Sequence, residues 1–435
     1  MANLLIAITG LTGITNATLE LGRRLRADGH EVTIAAPRDI GHRVEPTGFP
    51  FLRLPEIDEH PEKLADRRQA LERTDPTVFT AELATLKPDL LLCDVELHEY
   101  IIVAWGRRQN LLLLSQWYSL WDRPGLPYLL HDTLPGEGFA GSRLGLWLSW
   151  QRVKFGRWRM NRKRASRTNG TDRRSVLLAL AARENFPRRF IRKSFWPGPF
   201  TYDGLPVLAM APYEMEFPHD PRLDLHYAGP MVRADRPESD VPELAEVFAR
   251  KERTGAKLLL CTLTTMVGRK DDFLDRLVAA VAERDDWLLV IGQGGENGPG
   301  TLRPRPKNVF AYPYVPQLRV LERADLSINH GGIHTIHECI HFGVPMLVYS
   351  GKKSDQNGCA ARVHYHGLGL MADRDHDDPQ IIRAKIDRVL GEERFRTAVH
   401  GMQATCLRYR TDWRAEEIIA LRLAEGVFME TNHRP

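Results

Sequence analysis

Between Asn329 and Gly343 the sequence reads NHGGIHTIHECIHFG, with four histidines, a glutamate and a cysteine in fifteen positions. Two chemistries fit it. His337 and His341 lie four apart, so a helix sets them on one face. Glu338 follows the first, as in the His-Glu-x-x-His pattern that holds zinc beside a general base. That reading needs a third ligand and an open coordination position. His364 and His366 could be nominated, but no spacing compels either. The second chemistry starts one strand earlier. LSINHGGIHT reads as a strand, two glycines and a helix start. Glycines let a backbone come close, and the free N–H groups of a helix N-terminus favour an anion. His330 ends the strand, where a side-chain donor meets a phosphate. Glu338, about two turns into the helix, is an acceptor for sugar hydroxyls. A merely polar turn explains His330, Gly331 and Gly332 equally well if nothing else is considered.

The elements that must position these residues form an α/β pattern. LLIAIT, EVTIAAP, PDLLLCD and NLLLLS are short apolar runs of strand length, separated by helical stretches such as NATLELGRRLRADG. Strand–helix alternation of this kind predicts a parallel sheet covered on both faces. The alternation restarts after residue 245 with KLLLCTLT, WLLVIGQG, NVFAYPYV, LSINH and PMLVYS. The prediction is two doubly wound Rossmann-like domains facing across a cleft. Residues 1–218 form the first, with a variable aromatic and basic segment at 117–200. Residues 219–245 are a polar, proline-bearing linker. Residues 246–405 form the second, and 406–435 a helix packing back on the first. In such folds ligands sit beyond the carboxyl ends of the strands.

At 435 residues the chain is long for one core, and its 43% hydrophobic and 27% charged residues are ordinary for a soluble protein. Net charge is +4, so no whole-chain field is expected. The start MANLLIAITG lacks the basic and long apolar regions of a secretory signal. Five scattered cysteines without a C-x-x-C pair fit a reducing cytoplasm. Charge is concentrated locally: from Arg152 to Arg167 there are eight Lys or Arg and no acid, interleaved with aromatics. A basic aromatic helix over 145–167 could lie on an anionic membrane surface, bind an anionic acceptor, or simply line an apolar pocket. No nucleic-acid-binding fold accompanies the charge.

The stretch from Ala311 to Leu370 resembles the donor-binding signature of nucleotide-sugar glycosyltransferases of the GT-B fold, the plant and bacterial small-molecule glycosyltransferases. YVPQLRVL is similar to the family's aromatic-Val-Pro-Gln run. NHGGIHTIHE is similar to its His-x-Gly-x-Asn-Ser/Thr-x-x-Glu, and GVPMLVYSGKKSDQNGCAARV to its Gly-Val-Pro and Asp-Gln segments. The resemblance implies a UDP- or dTDP-hexose donor. Tyr314 would stack on the base, with Val315 and Gln317 beside it. His330, Gly331, Gly332, His334 and Thr335 would hold the diphosphate, with Thr265 a further contact. Glu338 would bind the ribose, and Asp355 and Gln356 the transferred sugar. His334 replaces the family's usual asparagine, and Thr264 its usual glycine. His337 and His341 then only continue a helix face.

The resemblance also implies a catalytic histidine in the first half, within a Gly-His-x-x-Pro stretch. Here that position is Ile14, after Gly13, and the proline is Ala17. An isoleucine cannot move a proton. Either another residue does so, or the acceptor is acidic enough to need no base, or activity is lost. The substitutes are Asp94, Glu96 and His98 in CDVELHEY, at a strand's carboxyl end. A carboxylate desolvated there can act as base, as can a histidine. A polar helix cap is the competing reading. Gly13, Ile14, Trp117, Tyr118 and Trp121 are expected to line the acceptor pocket. The sequence thus implies an inverting, metal-independent hexosyltransferase without a cofactor. Its partners would be a nucleotide-sugar and a small-molecule or lipid acceptor. It would be cytoplasmic, with peripheral membrane contact through 145–167. The alternatives are an impaired homologue that binds nucleotide-sugar and, more distantly, a zinc hydrolase.

Overall fold

A computed structural model describes residues 1–56, 66–74, 77–118, 120–193, 198–220, 222, 224–263, 272–294 and 306–426. Fifteen strands are formed: β1 (Asn3–Ala7), β2 (Glu31–Ala36), β3 (Phe51–Arg53), β4 (Leu90–Asp94), β5 (Leu111–Ser115), β6 (Ile191–Lys193), β7 (Phe200–Tyr202), β8 (Val207–Ala209), β9 (Leu225–Tyr227), β10 (Lys257–Thr262), β11 (Trp287–Gly292), β12 (Val309–Tyr312), β13 (Leu326–Asn329), β14 (Met346–Tyr349) and β15 (Gly369–Ala372). They make two parallel sheets, ordered β3-β2-β1-β4-β5-β8-β9 and β12-β11-β10-β13-β14-β15. An antiparallel β6–β7 pair stands apart. Every residue of β4 and β5 is buried, which is why they read as unbroken apolar runs. In each sheet the strand order reverses beside the first strand, at β1/β4 and at β10/β13. Those are the crevices in which doubly wound folds bind ligands.

The apolar core is arranged around the sheets. Leu4, Ile6, Ile34, Leu92 and Leu112 share one face of the first sheet with Ile14 and Leu21 of helix Thr12–Ala27. Ala415 and Ile419 of helix Arg414–Glu425 join that same cluster. The opposite face belongs to a cluster that continues without a break into the second sheet, through Leu258, Leu288, Cys339 and Val348. A third cluster, with Leu259, Leu289, Ile328 and Leu347, covers the outer face of the second sheet.

Three departures from the sequence reading have simple causes. The segment read as linker contains β9, the edge strand of the first sheet; three residues are too few to show a period. For the same reason β3 and the β6–β7 pair escaped notice. Helix Glu393–Thr411 runs unbroken through the boundary placed at residue 405.

The two halves meet tightly. A Cβ on Gly358 would lie 2.1 Å from the Leu129 carbonyl oxygen, so only glycine fits there. Beside it the buried Arg362 guanidinium bonds Glu216 Oε2 at 2.6 Å and sits against the Tyr118 and Phe217 rings. Removing one partner of such a pair leaves the other charge buried alone. Glu216→Ala is therefore expected to cost about 3–5 kcal/mol in chemical denaturation. A loss under about 1 kcal/mol would show the joint to be open to water.

Candidate active site

The strand–glycine–helix turn of the second half is built by its own side chains. Asn329, buried at the end of β13, accepts the Gly331 N–H on Oδ1 at 2.9 Å. Gly331 has φ +86°, and a Cβ there would lie 2.9 Å from the Gln356 carbonyl oxygen. Gly332 caps helix Ile333–His341, whose first turn has no side-chain cap and no acid. The acid at this helix start comes instead from another element: the Asp355 carboxylate accepts from the Ile333 N–H. The His330 ring folds over Gly332, where a Cβ would meet Nε2 at 2.7 Å. Its Nδ1 lies 3.4 Å from the Thr262 carbonyl oxygen at the end of β10. His330 therefore stands in the β10/β13 crevice. Burial pushes its pKa below the usual histidine value.

A cleft of about 350 Å³ opens in front of this turn. Its far wall is the start of helix Thr12–Ala27, with Thr12, Gly13 and Ile14. That helix begins with no side-chain cap and no acid in its first turn, so its bare N-terminus borders the space opposite helix Ile333–His341. On the near side are Gln317, Thr335, Glu338 and Asp355. The Glu338 carboxylate accepts from Gln317 Nε2 at 2.5 Å and ion-pairs with Arg236. Glu238 accepts the N–H groups of Leu318 and Arg319 at 3.0 and 3.1 Å, fixing helix Gln317–Leu321. Arg236 and Glu238 come from the linker, and sequence reasoning missed them; the charged run RADRPES was the available signal. Burial raises the Asp355 pKa, and its carboxylate accepts from the Cys359 thiol at 3.2 Å. Gln356 spends its carbonyl on the Gly351 N–H at 2.9 Å. Val315 is buried behind the cleft, whereas Tyr314 is exposed at the surface. Thr264 and Thr265 lie outside the described residues.

The histidines of helix Ile333–His341 join the two halves. A Cβ on Gly13 would lie 2.4 Å from His334 Cδ2, so the ring packs on the bare backbone of the first half. His334 Nε2 lies 2.8 Å from Gln116 Oε1, and His337 Nε2 lies 3.1 Å from the Tyr118 hydroxyl. Desolvation pushes these histidines down to about 4 and about 3, so both are neutral at pH 7. The His341 carbonyl accepts from Gln403 Nε2 at 2.5 Å. Among the described residues no group of three or more His, Cys, Asp or Glu could hold a metal ion.

The first half separates residues that the sequence placed together. Asp94 is fully buried, accepting from Thr9 Oγ1 at 3.4 Å and from the Glu96 N–H at 3.1 Å. It ties the ends of β1 and β4 together and is absent from the wall of either cavity. Burial raises its pKa to about 6. His98 is buried at the head of helix His98–Gly106, with Nδ1 2.9 Å from the Tyr202 hydroxyl. Desolvation pushes it down to about 3. Glu96 is half-buried and accepts from Trp117 Nε1 at 2.8 Å. Glu96 lines a second cavity of about 650 Å³, Trp117 lines the cleft, and Leu11 lines both. The Glu96–Trp117 pair thus stands between the two spaces.

Gly13, Ile14 and Trp117 face the cleft, but Tyr118 and Trp121 face neither space. Tyr118 is spent on His337. Trp121 donates to the Tyr202 carbonyl at 2.9 Å and lines a separate pocket near Asp203 and Arg222. The larger cavity is walled instead by the start of helix His98–Gly106, by Arg157, Met160 and Arg164 of helix Arg143–Arg167, and by Asp172 to Arg174. The basic run was its sequence signal.

Two doubly wound parallel sheets that meet across a cleft, with their strand-order reversals bordering it, define the GT-B class. The crystal structure of the glycotransferase of kitacinnamycin shares this fold with a TM-score of 0.73, at 21% identity, over 97% of this chain and 99% of that one. A family model described as "Erythromycin biosynthesis protein CIII-like, C-terminal domain" matches residues 275–411. The chain is similar to 4'-demethylrebeccamycin synthase of Lentzea aerocolonigenes, 24% identical over 98% of this chain and 99% of that protein. It is also similar to the uncharacterized UDP-glucosyltransferase YdhE of Bacillus subtilis, 31% identical over 35% of this chain; that alignment spans 38% of the relative. Residues 275–411 are thus similar to that family's C-terminal domain, and the whole chain shares the GT-B fold of its structural neighbours.

Proposed function

We propose that this chain transfers a hexose from a nucleoside diphosphate to a small-molecule acceptor, with inversion. The observation that carries the reading is the start of helix Ile333–His341, entered through Gly331 and Gly332 beneath His330 and holding no acid in its own first turn, with Glu338 and Asp355 on the same cleft. The helix N–H groups, His330 and Thr335 take the charge of the leaving diphosphate without reorganising. Glu338 accepts from the ribose, sharing its carboxylate with Arg236. Asp355 holds the sugar. Glu96 takes the acceptor's proton, because of Asp94, Glu96 and His98 it alone brings a half-buried carboxylate to the wall between the two cavities. Trp117 orients it. His334, packed on Gly13, is a diphosphate contact. A screen of UDP-, dTDP- and GDP-sugars against aromatic and polyketide acceptors tests this by product mass. Nucleotide binding without turnover of any donor would favour the impaired homologue instead.

The membrane contact through 145–167 also belongs to this reading. Leu144, Trp147, Phe155 and Trp158 are 57%, 57%, 61% and 45% exposed, at spacings that set them on one helix face. Arg152, Arg159, Lys163 and Arg167 flank that stripe. Exposed aromatics beside cations suit an anionic lipid surface. No helix among the described residues is long and apolar enough to cross a membrane. The protein is expected to sediment with phosphatidylcholine/phosphatidylglycerol vesicles and not with phosphatidylcholine alone. The triple variant Trp147→Ser, Phe155→Ser, Trp158→Ser should lose this. Equal sedimentation of variant and parent would remove the stripe from the account.

A further inference from the structure

We infer that the 650 Å³ cavity of the first half takes an acceptor consisting of an apolar ring system that carries an anionic group, a carboxylate or a phosphate. This rests on the reading of that cavity as the acceptor site. The volume suits a drug-sized ligand, and Leu11, Leu97, Met160 and Pro199 supply apolar wall.

The charges on the wall are unequally committed. Each acid already has a partner. Glu99 ion-pairs with Arg173 at 2.9 Å, and Glu96 accepts from Trp117. Asp172 caps helix Arg173–Arg183, accepting from the Ser175 N–H and hydroxyl, and Glu56 pairs with Arg53. The cations are not matched in the same way. Among the described residues Arg38, Arg164 and Arg174 line the cavity with no carboxylate in ion-pair range. Arg157 carries a further positive charge there, engaged with the neutral Tyr128 phenol.

Buried donors point the same way. Arg173 Nη1, Arg174 Nε and His98 Nε2 are buried without a hydrogen-bond partner. His98 is almost wholly buried, with Nδ1 2.9 Å from the Tyr202 hydroxyl; in the tautomer in which that hydroxyl donates to Nδ1, Nε2 carries the hydrogen. Nε2 faces Gly198 on the cavity wall, where a Cβ would lie 2.4 Å away. Orphaned donors and unmatched guanidinium groups around one cavity call for an oxyanion. The planar guanidinium fork fits carboxylate and phosphate oxygens in pairs. A neutral ligand would leave these donors unsatisfied, which is costly in a buried place.

Paired probes test this by calorimetry: 2-naphthoate and anthraquinone-2-carboxylate against their primary amides, and 2-naphthyl phosphate against 2-naphthol. The anionic member of at least one pair should bind about tenfold more tightly, with the difference shrinking in high salt. Arg174→Met should bring that pair close to parity, and Arg174→Lys should restore part of the preference. UDP binding should be the same in parent and variants. Preference for carboxylate over phosphate, or the reverse, identifies the group. Equal binding of acids and neutral partners, a preference untouched by Arg174→Met, or no binding of any acid at millimolar concentration would overturn the inference. Loss of UDP binding in the parent protein would instead overturn the donor-site reading beneath it.

Discussion

Replacing His330 with alanine is expected to lower kcat for sugar transfer by about 10²-fold and to raise the donor KM, with the acceptor KM unchanged. The reason is positional. His330 is held in the crevice between β10 and β13, with Nδ1 3.4 Å from the Thr262 carbonyl and the ring above Gly332. With Nδ1–H directed at the Thr262 carbonyl, Nε2 above Gly332 donates once the ring is protonated, which a bound diphosphate favours against the burial that lowers its pKa. A donor aimed at the leaving diphosphate gains strength as negative charge develops, so its loss appears in kcat as well as in binding. Helix Ile333–His341 keeps its N-terminal N–H groups in the variant, which is why activity falls without vanishing. Steady-state kinetics with donor and acceptor varied separately provide the check. A change confined to the acceptor KM would place His330 outside the donor site.

The second large effect is predicted at Glu96. Glu96→Gln should reduce kcat by about 10²–10⁴-fold, the usual range for loss of a general base. The variant keeps the side chain's shape and can still accept from Trp117 Nε1, so folding should survive. The loss should be greatest with aliphatic alcohols and small with acidic phenols such as 4-nitrophenol, because an acceptor that ionises by itself needs no base. A readout of this kind separates proton transfer from simple positioning. His334→Asn is the informative comparison. It removes the histidine that packs on Gly13 from the second half. If that variant, and not Glu96→Gln, shows the dependence on acceptor acidity, the proton goes to the opposite wall of the cleft.

The sequence carried much of the fold because both sheets are parallel and buried. PDLLLCD, NLLLLS and WLLVIGQG each hold an unbroken apolar stretch, since neither sheet face meets water there. The strand–glycine–helix turn was legible because a turn this tight needs glycines at fixed places; Gly331 is required by φ and Gly332 by the close His330 ring. What could not be read depends on distant pairing. Arg236 reaches Glu338 from a linker about a hundred positions earlier, and Gln116 meets His334 from the other half. Gln116 carries no local pattern, and the charged run around Arg236 does not say which residue it meets. Asp94 misled because a carboxylate at a strand end looks alike whether it faces a cleft or ties two strands together. Tyr118 and Trp121 misled because aromatic residues after β5 can line a pocket or close an interface. Here Tyr118 closes the interface, through His337 and Arg362.

The HExxH letters of HECIH now divide between two tasks. Glu338 belongs to the cleft with Gln317 and Arg236, while His337 joins the two halves through Tyr118. The most direct test of the central claim is calorimetric titration of UDP and dTDP into the protein in the presence of EDTA. The account predicts saturable binding of one nucleotide per chain without metal, weakened at least about tenfold by His330→Ala. No binding of either nucleotide, or binding that His330→Ala leaves unchanged, would contradict it.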